Sequence, residues 1–182
     1  LTAFLAVEDG TDADLGGLGA VSYEEALASG SEARDFEERS GDDIYIVYTG
    51  GTTGMPRGVM WRQEDVFFAG LQGGRPGGDA IERPEELAEV AKSGDVALNV
   101  LPTAAFIHGA AQWAAWIGLF TGGKLVVVPG RSYDPNKCWD LIDEEDIDTV
   151  LLVGDAMARP LADALEKRKD DVKAENLMVI AS

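Results

Sequence analysis

Residues 44–62 read IYIVYTGGTTGMPRGVMWR, and the way this stretch divides decides the fold. Ile44–Tyr48 is a β-branched and aromatic run, the pattern of a buried strand. Gly58–Arg62 reads as a second short strand and a hairpin partner for the first. Four glycines (Gly50, Gly51, Gly54, Gly58), three threonines (Thr49, Thr52, Thr53) and Arg57 crowd the span from Thr49 to Gly58. Two readings of that span are open: a long Gly-rich hairpin turn, or a loop that holds phosphate. Phosphate needs several N–H and hydroxyl donors converging in backbone close enough to touch oxygen. Glycine permits positive φ and close approach, and successive N–H groups form an anion-binding nest. Threonine hydroxyls add donors, and Arg57 supplies charge. The stretch is not a Walker A loop, because Gly54 is followed by Met55, Pro56 and Arg57 rather than Lys and Ser/Thr. It does not match GxGxxG either.

Outward from this stretch, strands alternate with helices. On the N-terminal side, LTAFLAV (residues 1–7) reads as a strand leading into the acidic, turn-rich EDGTDADLGG. Ser22 caps a short helix with Glu24, Glu25 and Leu27, and residues 29–43 form a surface connector. On the C-terminal side the pattern predicts a helix over 64–71, a loop at GGRPGGD (73–79) and a helix over 84–93 opened by Pro84. There follow a strand at 96–101, an apolar helix at 107–120, and a strand at 124–128. The last elements are a helix at 135–145, a strand at 149–153, a helix at 160–169 and a strand at 177–181. Continuous apolar strands between helices signal an α/β fold, doubly wound, with a mostly parallel sheet and helices on both faces. The chain starts on a strand and stops on LMVIAS with no closing helix, so both ends look cut from something longer.

Charge narrows the function classes. The formal net charge is −18, which argues against a nucleic-acid partner, since phosphate neutralisation needs clustered Lys and Arg. Residues 1–43 carry 12 acids against 2 bases and residues 132–182 carry 13 against 6, but residues 44–131 carry 8 against 7. The Gly/Thr stretch therefore sits in the nearly neutral third, where an anion is tolerated. No apolar run approaches the ~20 residues of a membrane-spanning helix, and no basic-then-apolar leader opens the chain. This leaves peripheral membrane contact and the oligomeric state open. The single cysteine, Cys138, excludes an internal disulfide framework and reads as a packing residue. These features together point to the cytoplasm.

The span Tyr48–Gly58, YTGGTTGMPRG, resembles the AMP-binding signature of the adenylate-forming superfamily, usually written [YF]TSGTTGxPKG. That superfamily includes acyl-CoA synthetases, firefly-type luciferases and peptide-synthetase adenylation domains. Gly at the third position, followed by VMWR and an acidic residue, resembles bacterial fatty acyl-CoA synthetases, as does VGDAMARPLADAL (153–165). The resemblance implies that Thr49, Gly50, Gly51, Thr52, Thr53 and Gly54 wrap the β- and γ-phosphates of ATP. Arg57 stands where the family has lysine, which keeps charge but exchanges a compact ammonium for a planar fork. The resemblance also implies Mg²⁺ and CoA as cofactors and a carboxylic or fatty acid as the other small-molecule substrate.

His108, the single histidine, lies in LPTAAFIHGAAQW (101–113). On the residues alone it is a histidine satisfied at a helix N-terminus. The segment also resembles the family's P-x-x-[HF]-x-x-G element, with some drift in spacing, which would set His108 and Gly109 beside the acyl carboxylate. A carboxylate attacking phosphorus is already ionised, so His108 would position the substrate rather than act as a base. The apolar helix behind it reads first as core and second as one wall of an acyl tunnel. Asp155 reads as a helix N-cap, EEDID (144–148) as a solvated helix end, and no residues have metal-site spacing.

By family order the chain stops where a Gly-Gly-Ala-Pro adenine turn should begin. The YGxTE element, the ribose-binding aspartate, the hinge and the catalytic lysine are all expected downstream, so no catalytic residue is assigned here. Residues 1–43 are then an acidic lead-in from a preceding subdomain. Residues 44–182 form an AMP-binding α/β subdomain truncated at its C-terminal end. The expected parent is an ATP-dependent acyl-CoA synthetase, with the 182 residues inactive by themselves. The alternatives are an adenylation domain that loads a carrier protein, a luciferase-like monooxygenase, or a non-catalytic nucleotide-binding or interaction module.

Overall fold

The computed structural model describes residues 4–8, 10, 16–50, 54–128, 130 and 132–182. The chain divides into two compact units, Leu1–Arg39 and Ser40–Ser182. In the first, β1 (Leu5–Ala6) pairs in parallel with β2 (Val21–Ser22), and α1 (Tyr23–Ser29) follows directly. Glu24 and Glu25 lie in its first turn, where the helix dipole favours acids. Ser22 occupies the N-cap position as expected, yet its side chain makes no capping hydrogen bond.

The second unit opens on the hairpin. β3 (Ile44–Thr49) and β4 (Arg57–Arg62) run antiparallel, in register from Ile44 opposite Arg62 to Thr49 opposite Arg57. Tyr45, Val47 and Trp61 are half-buried on one face, whereas Ile44, Ile46, Tyr48 and Met60 are exposed on the other. The sequence pattern predicted a buried strand here. An uninterrupted apolar run cannot tell a strand covered on both faces from one covered on a single face. Gly58 serves this sheet by absence of a side chain: an added Cβ would lie 2.9 Å from Ile46 Cγ2 and 3.6 Å from the Tyr48 ring.

α2 (Gln63–Asp65) widens at once into a π-helical turn over Val66–Gly70, so the helix predicted over 64–71 is irregular. The widening seats Gly70 beneath Trp113, whose ring would lie 3.4 Å from an added Cβ. α3 (Leu87–Ser93) follows a 3₁₀ turn opened by Pro84 and ends on Gly94 in the left-handed region at φ 71°.

The main sheet is parallel, in the order β5 (Val100–Pro102), β6 (Thr149–Leu151), β7 (Val179–Ala181). The strand predicted at 124–128 is reduced to one bridge between Leu125 and Val100, held by hydrogen bonds of 2.8 and 2.9 Å on either side. α4 (Gly109–Phe120) lies on one face, where an added Cβ on Gly118 would come within 2.9 Å of Val100 Cγ2. α5 (Pro135–Glu144) and α6 (Asp155–Arg168) cover the other. There Leu101 and Val150 join Cys138, Trp139, Ile142 and Leu161 in one buried cluster. Helices on both faces of a parallel sheet make this an α/β fold of the doubly wound kind expected.

Three local expectations are corrected. α6 begins at Asp155, five residues before the predicted start, and carries Pro160 inside it. An interior proline costs about 3 kcal/mol, and burial of Leu161 and Ala164 with the half-buried Met157 opposes that cost. The N-cap is Gly154 (φ 60°), not Asp155, which lies in the first turn and pairs with Arg159 at 3.9 Å. EEDID is not a solvated end throughout. Ile147 and Asp148 are buried. Asp148 accepts from the Asn99 backbone N–H at 2.7 Å and from the Thr149 hydroxyl at 2.7 Å. A strand edge supplies those donors, and a carboxylate satisfies both.

Candidate functional site

The Gly/Thr loop is carried on an antiparallel hairpin, so the turn and the phosphate loop are not exclusive descriptions. Thr49 and Arg57 close the hairpin as register partners, with Thr49 Oγ1 donating to the Arg57 carbonyl at 3.3 Å. Beyond them Gly50 and Gly54 are exposed, and an added Cβ on either would meet no atom of the described residues within 4 Å. Neither has a left-handed φ, so backbone conformation does not require glycine at these two positions. Gly51, Thr52 and Thr53 lie outside the described residues. Arg57 is exposed, and no carboxylate pairs with it among the described residues. Its charge faces solvent, available to an anion.

α4 starts against the strand that leads into this loop. An added Cβ on Gly109 would lie 3.1 Å from Val47 Cγ1, so the missing side chain is what allows the helix to begin this near β3. Further along, the Tyr45 ring meets Trp116 edge-on at 5.2 Å, and Trp61 meets Trp113 edge-on at 5.5 Å. Such aromatic pairs add about 0.5–1.5 kcal/mol each beyond the area they bury. Tyr45 and Trp61 are themselves cross-strand partners, so both hairpin strands are pinned to one helix face.

His108 is the N-cap residue of α4, with extended backbone and an exposed side chain that makes no capping bond. Its backbone N–H donates to the Ala105 carbonyl at 3.0 Å, closing the Phe106–Ile107 turn. Among the described residues the imidazole has no hydrogen-bond partner, unlike the satisfied helix-end histidine that the residues alone suggested. Phe106 and Ile107 are exposed beside it. His108, Gly109 and the hairpin strand thus share one support.

Sequence reading missed Tyr45, Trp61 and Gln112 as parts of this support. The Tyr45 hydroxyl is hydrogen-bonded to Gln112 Oε1. Gln112 Nε2 in turn donates to the Phe106 carbonyl at 2.6 Å. Trp113 and Trp116 at helical spacing were visible, but nothing local in the sequence paired them with Tyr45 and Trp61.

Two apolar cavities flank the support. One of about 290 Å³ is lined by Tyr45, Val66, Phe67, Leu71, Trp116 and Phe120. The other, about 280 Å³, lies past the ends of β5 and β6, between Thr103, Phe106, Tyr133 and Met157. That is the side of a parallel sheet where ligands bind. Behind it the Tyr133 hydroxyl donates to the Met157 carbonyl at 3.1 Å. Burial pushes the Cys138 thiol up to about 11. Burial first, and then the neighbouring Cys138, raises Tyr133 as well. Among the described residues no group of three or more His, Cys, Asp or Glu could hold a metal ion.

A parallel sheet with helices on both faces, and a separate Gly/Thr hairpin packed against the start of one of those helices, define an α/β domain. The chain belongs to the AMP-binding enzyme family, whose model matches residues 7–181. It is 47% identical over 163 residues to a 3-oxocholest-4-en-26-oate–CoA ligase of Rhodococcus rhodochrous, covering 88% of this chain and 29% of that protein. It is 42% identical over 179 residues to a medium/long-chain-fatty-acid–CoA/3-oxocholest-4-en-26-oate–CoA ligase of Mycolicibacterium smegmatis, covering 97% of this chain and 32% of that one. The inhibitor-bound N-terminal domain of FACL13 from Mycobacterium tuberculosis shares the fold, with a TM-score of 0.56 at 24% identity. That match covers 87% of this chain and 36% of that one. The chain spans about a third of the length of the curated relatives it matches.

Proposed function

We propose that the protein carrying this chain is an ATP-dependent acyl-CoA synthetase, an acid–thiol ligase, and that these residues supply its phosphate grip. A carboxylate oxygen attacks the α-phosphorus of ATP, the bond to the bridging oxygen breaks, and pyrophosphate leaves with acyl-adenylate formed. The thiol of CoA then attacks the acyl carbon, and AMP leaves as acyl-CoA forms. The acid is a medium- to long-chain fatty acid or a steroid side-chain acid, the classes named for the relatives.

The observation that carries this reading is the exposed Arg57, with no carboxylate partner among the described residues, across from Thr49 on a hairpin whose entering strand packs against the start of α4. Thr49, Gly50, Gly51, Thr52, Thr53 and Gly54 would donate to the β- and γ-phosphates, and Arg57 would offset their charge. That no described residue crowds Gly50 or Gly54 suits that role, since close approach of phosphate oxygen is what a side chain there would obstruct. His108 and Gly109 would orient the carboxylate for in-line attack. No step is assigned to Mg²⁺ here, since among the described residues no group of three or more His, Cys, Asp or Glu could hold a metal ion.

Carboxylate-dependent exchange of labelled pyrophosphate into ATP, measured on the full-length protein, tests this. Exchange with a fatty or steroid acid is expected. No exchange with any acid of either class would overturn the reading.

A further inference from the structure

Gln112 connects the two halves of the site through a single side chain. Its Nε2 donates to the Phe106 carbonyl at 2.6 Å, and its Oε1 is hydrogen-bonded to the Tyr45 hydroxyl. A carbonyl can only accept and a phenol can donate, so the amide orientation is fixed by its partners. Tyr45 lies four residues before Thr49 on the strand that enters the Gly/Thr loop. Phe106 lies two residues before His108 in the turn that opens α4. The Gln112 backbone N–H also donates to the His108 carbonyl, at 3.3 Å. Other contacts between β3 and α4, Val47 against Gly109 and Tyr45 against Trp116, are apolar and carry no directed bond. Among the described residues, the Gln112 bridge ties β3 to the turn before α4 by directed bonds at both ends.

We propose that Gln112 is a positioning residue: it locks the Phe106–His108 turn to the phosphate hairpin, so that carboxylate and α-phosphate meet in line. The proposal rests on the ligase reading for its catalytic part, and on geometry alone for its structural part. Gln112 touches neither substrate in this role. Its loss should lower turnover rather than nucleotide affinity, because the donors of the loop are unchanged while a displacement of reacting groups by about 1 Å costs on the order of 100-fold in rate.

The test uses the full-length protein with Gln112→Leu, Gln112→Glu and Tyr45→Phe. Glutamate accepts from Tyr45 but cannot donate to the Phe106 carbonyl as a carboxylate, so it cuts one arm only. Tyr45→Phe removes one hydroxyl and keeps the ring against Trp116, which guards against a leucine variant that fails to fold. Amide hydrogen exchange at His108 and Gly109 is expected to speed at least tenfold in both Gln112 variants, with exchange in α5 and α6 unchanged. In pyrophosphate exchange, kcat is expected to fall at least tenfold, with KM for ATP within about twofold of wild type. Gln112→Leu combined with Tyr45→Phe should be no slower than Gln112→Leu alone, since both act through one bridge. Unchanged amide exchange overturns the proposal whether or not the protein turns over. A loosened turn with unchanged kcat, or effects of the two substitutions that multiply, overturns the catalytic part. Wild-type protein that exchanges no pyrophosphate overturns the ligase reading and leaves the amide-exchange result to decide the bridge.

Discussion

Thr49 and Arg57 face each other across the last rung of the hairpin, and Thr49 Oγ1 donates to the Arg57 carbonyl at 3.3 Å. That is long for an O–H···O bond, so the hydroxyl gives up little when a phosphate oxygen competes for it. The same pairing directs the Arg57 side chain from the rung beside the loop, with no carboxylate to hold it among the described residues.

Arg57→Ala is therefore expected to reduce kcat/KM for ATP in the full-length protein by about 10- to 100-fold, the range of a charge-assisted hydrogen bond. Arg57→Lys should recover most of that loss, since the ammonium keeps the charge. The measurement is pyrophosphate exchange at varied ATP. Equal loss in both variants would show that the planar fork, not the charge, is what the site uses.

Thr52→Ala should weaken ATP-dependent adenylation by at least about tenfold, the equivalent of one lost donor to a charged group. A rate equal to wild type would remove the phosphate cradle from the account.

The legible parts of this sequence were those written in adjacent residues. Thr49–Gly58 declared its loop, β-branched runs declared the strands, and small and aromatic residues from Gly109 to Phe120 declared an apolar helix. Elements whose form depends on distant partners were not legible. Ile44, Ile46 and Tyr48 read as buried because nothing local says that only one side of β3 is covered. Asp148 looked like one more surface acid until β5 brought the Asn99 N–H to it from 49 residues away. Gln112 carried no local signal, because its partner Tyr45 is 67 residues distant. Gly154 was passed over for Asp155 because composition favours aspartate at an N-cap, whereas the backbone there takes φ 60°, a glycine conformation.

Asp148→Asn tests that missed tie. With Oδ1 facing the Asn99 N–H the amide turns Nδ2 to the Thr149 hydroxyl, which loses its acceptor, and two charge-assisted bonds become neutral, at about 1 kcal/mol. Thermal unfolding should shift down by several degrees, while Glu144→Gln on the exposed part of the same segment should shift it little. Equal melting temperatures for wild type and Asp148→Asn would contradict the tie.

Cys138 sets an alkaline limit. Its thiol rises from an ordinary 9.0 to about 11 in the folded state, so the folded protein holds this proton more tightly than the unfolded chain. The resulting stabilisation is complete below pH 9.0 and is lost as pH climbs toward about 11. Cys138→Ala should flatten the fall in stability across that window, though it lowers stability at neutral pH by leaving a small void. Folded protein should resist thiol reagents at pH 8 and react once unfolded. Rapid labelling of the folded form would contradict the burial of this residue.

The most direct measurement is AMP release by the full-length protein given ATP and a medium- to long-chain fatty acid or a 3-oxo steroid acid, with CoA added or withheld. The account expects AMP to accumulate in step with acyl-CoA, dependent on CoA and slowed at least about tenfold by Thr52→Ala. AMP formed only with a carrier protein as acceptor, or no AMP from any acid, would contradict it.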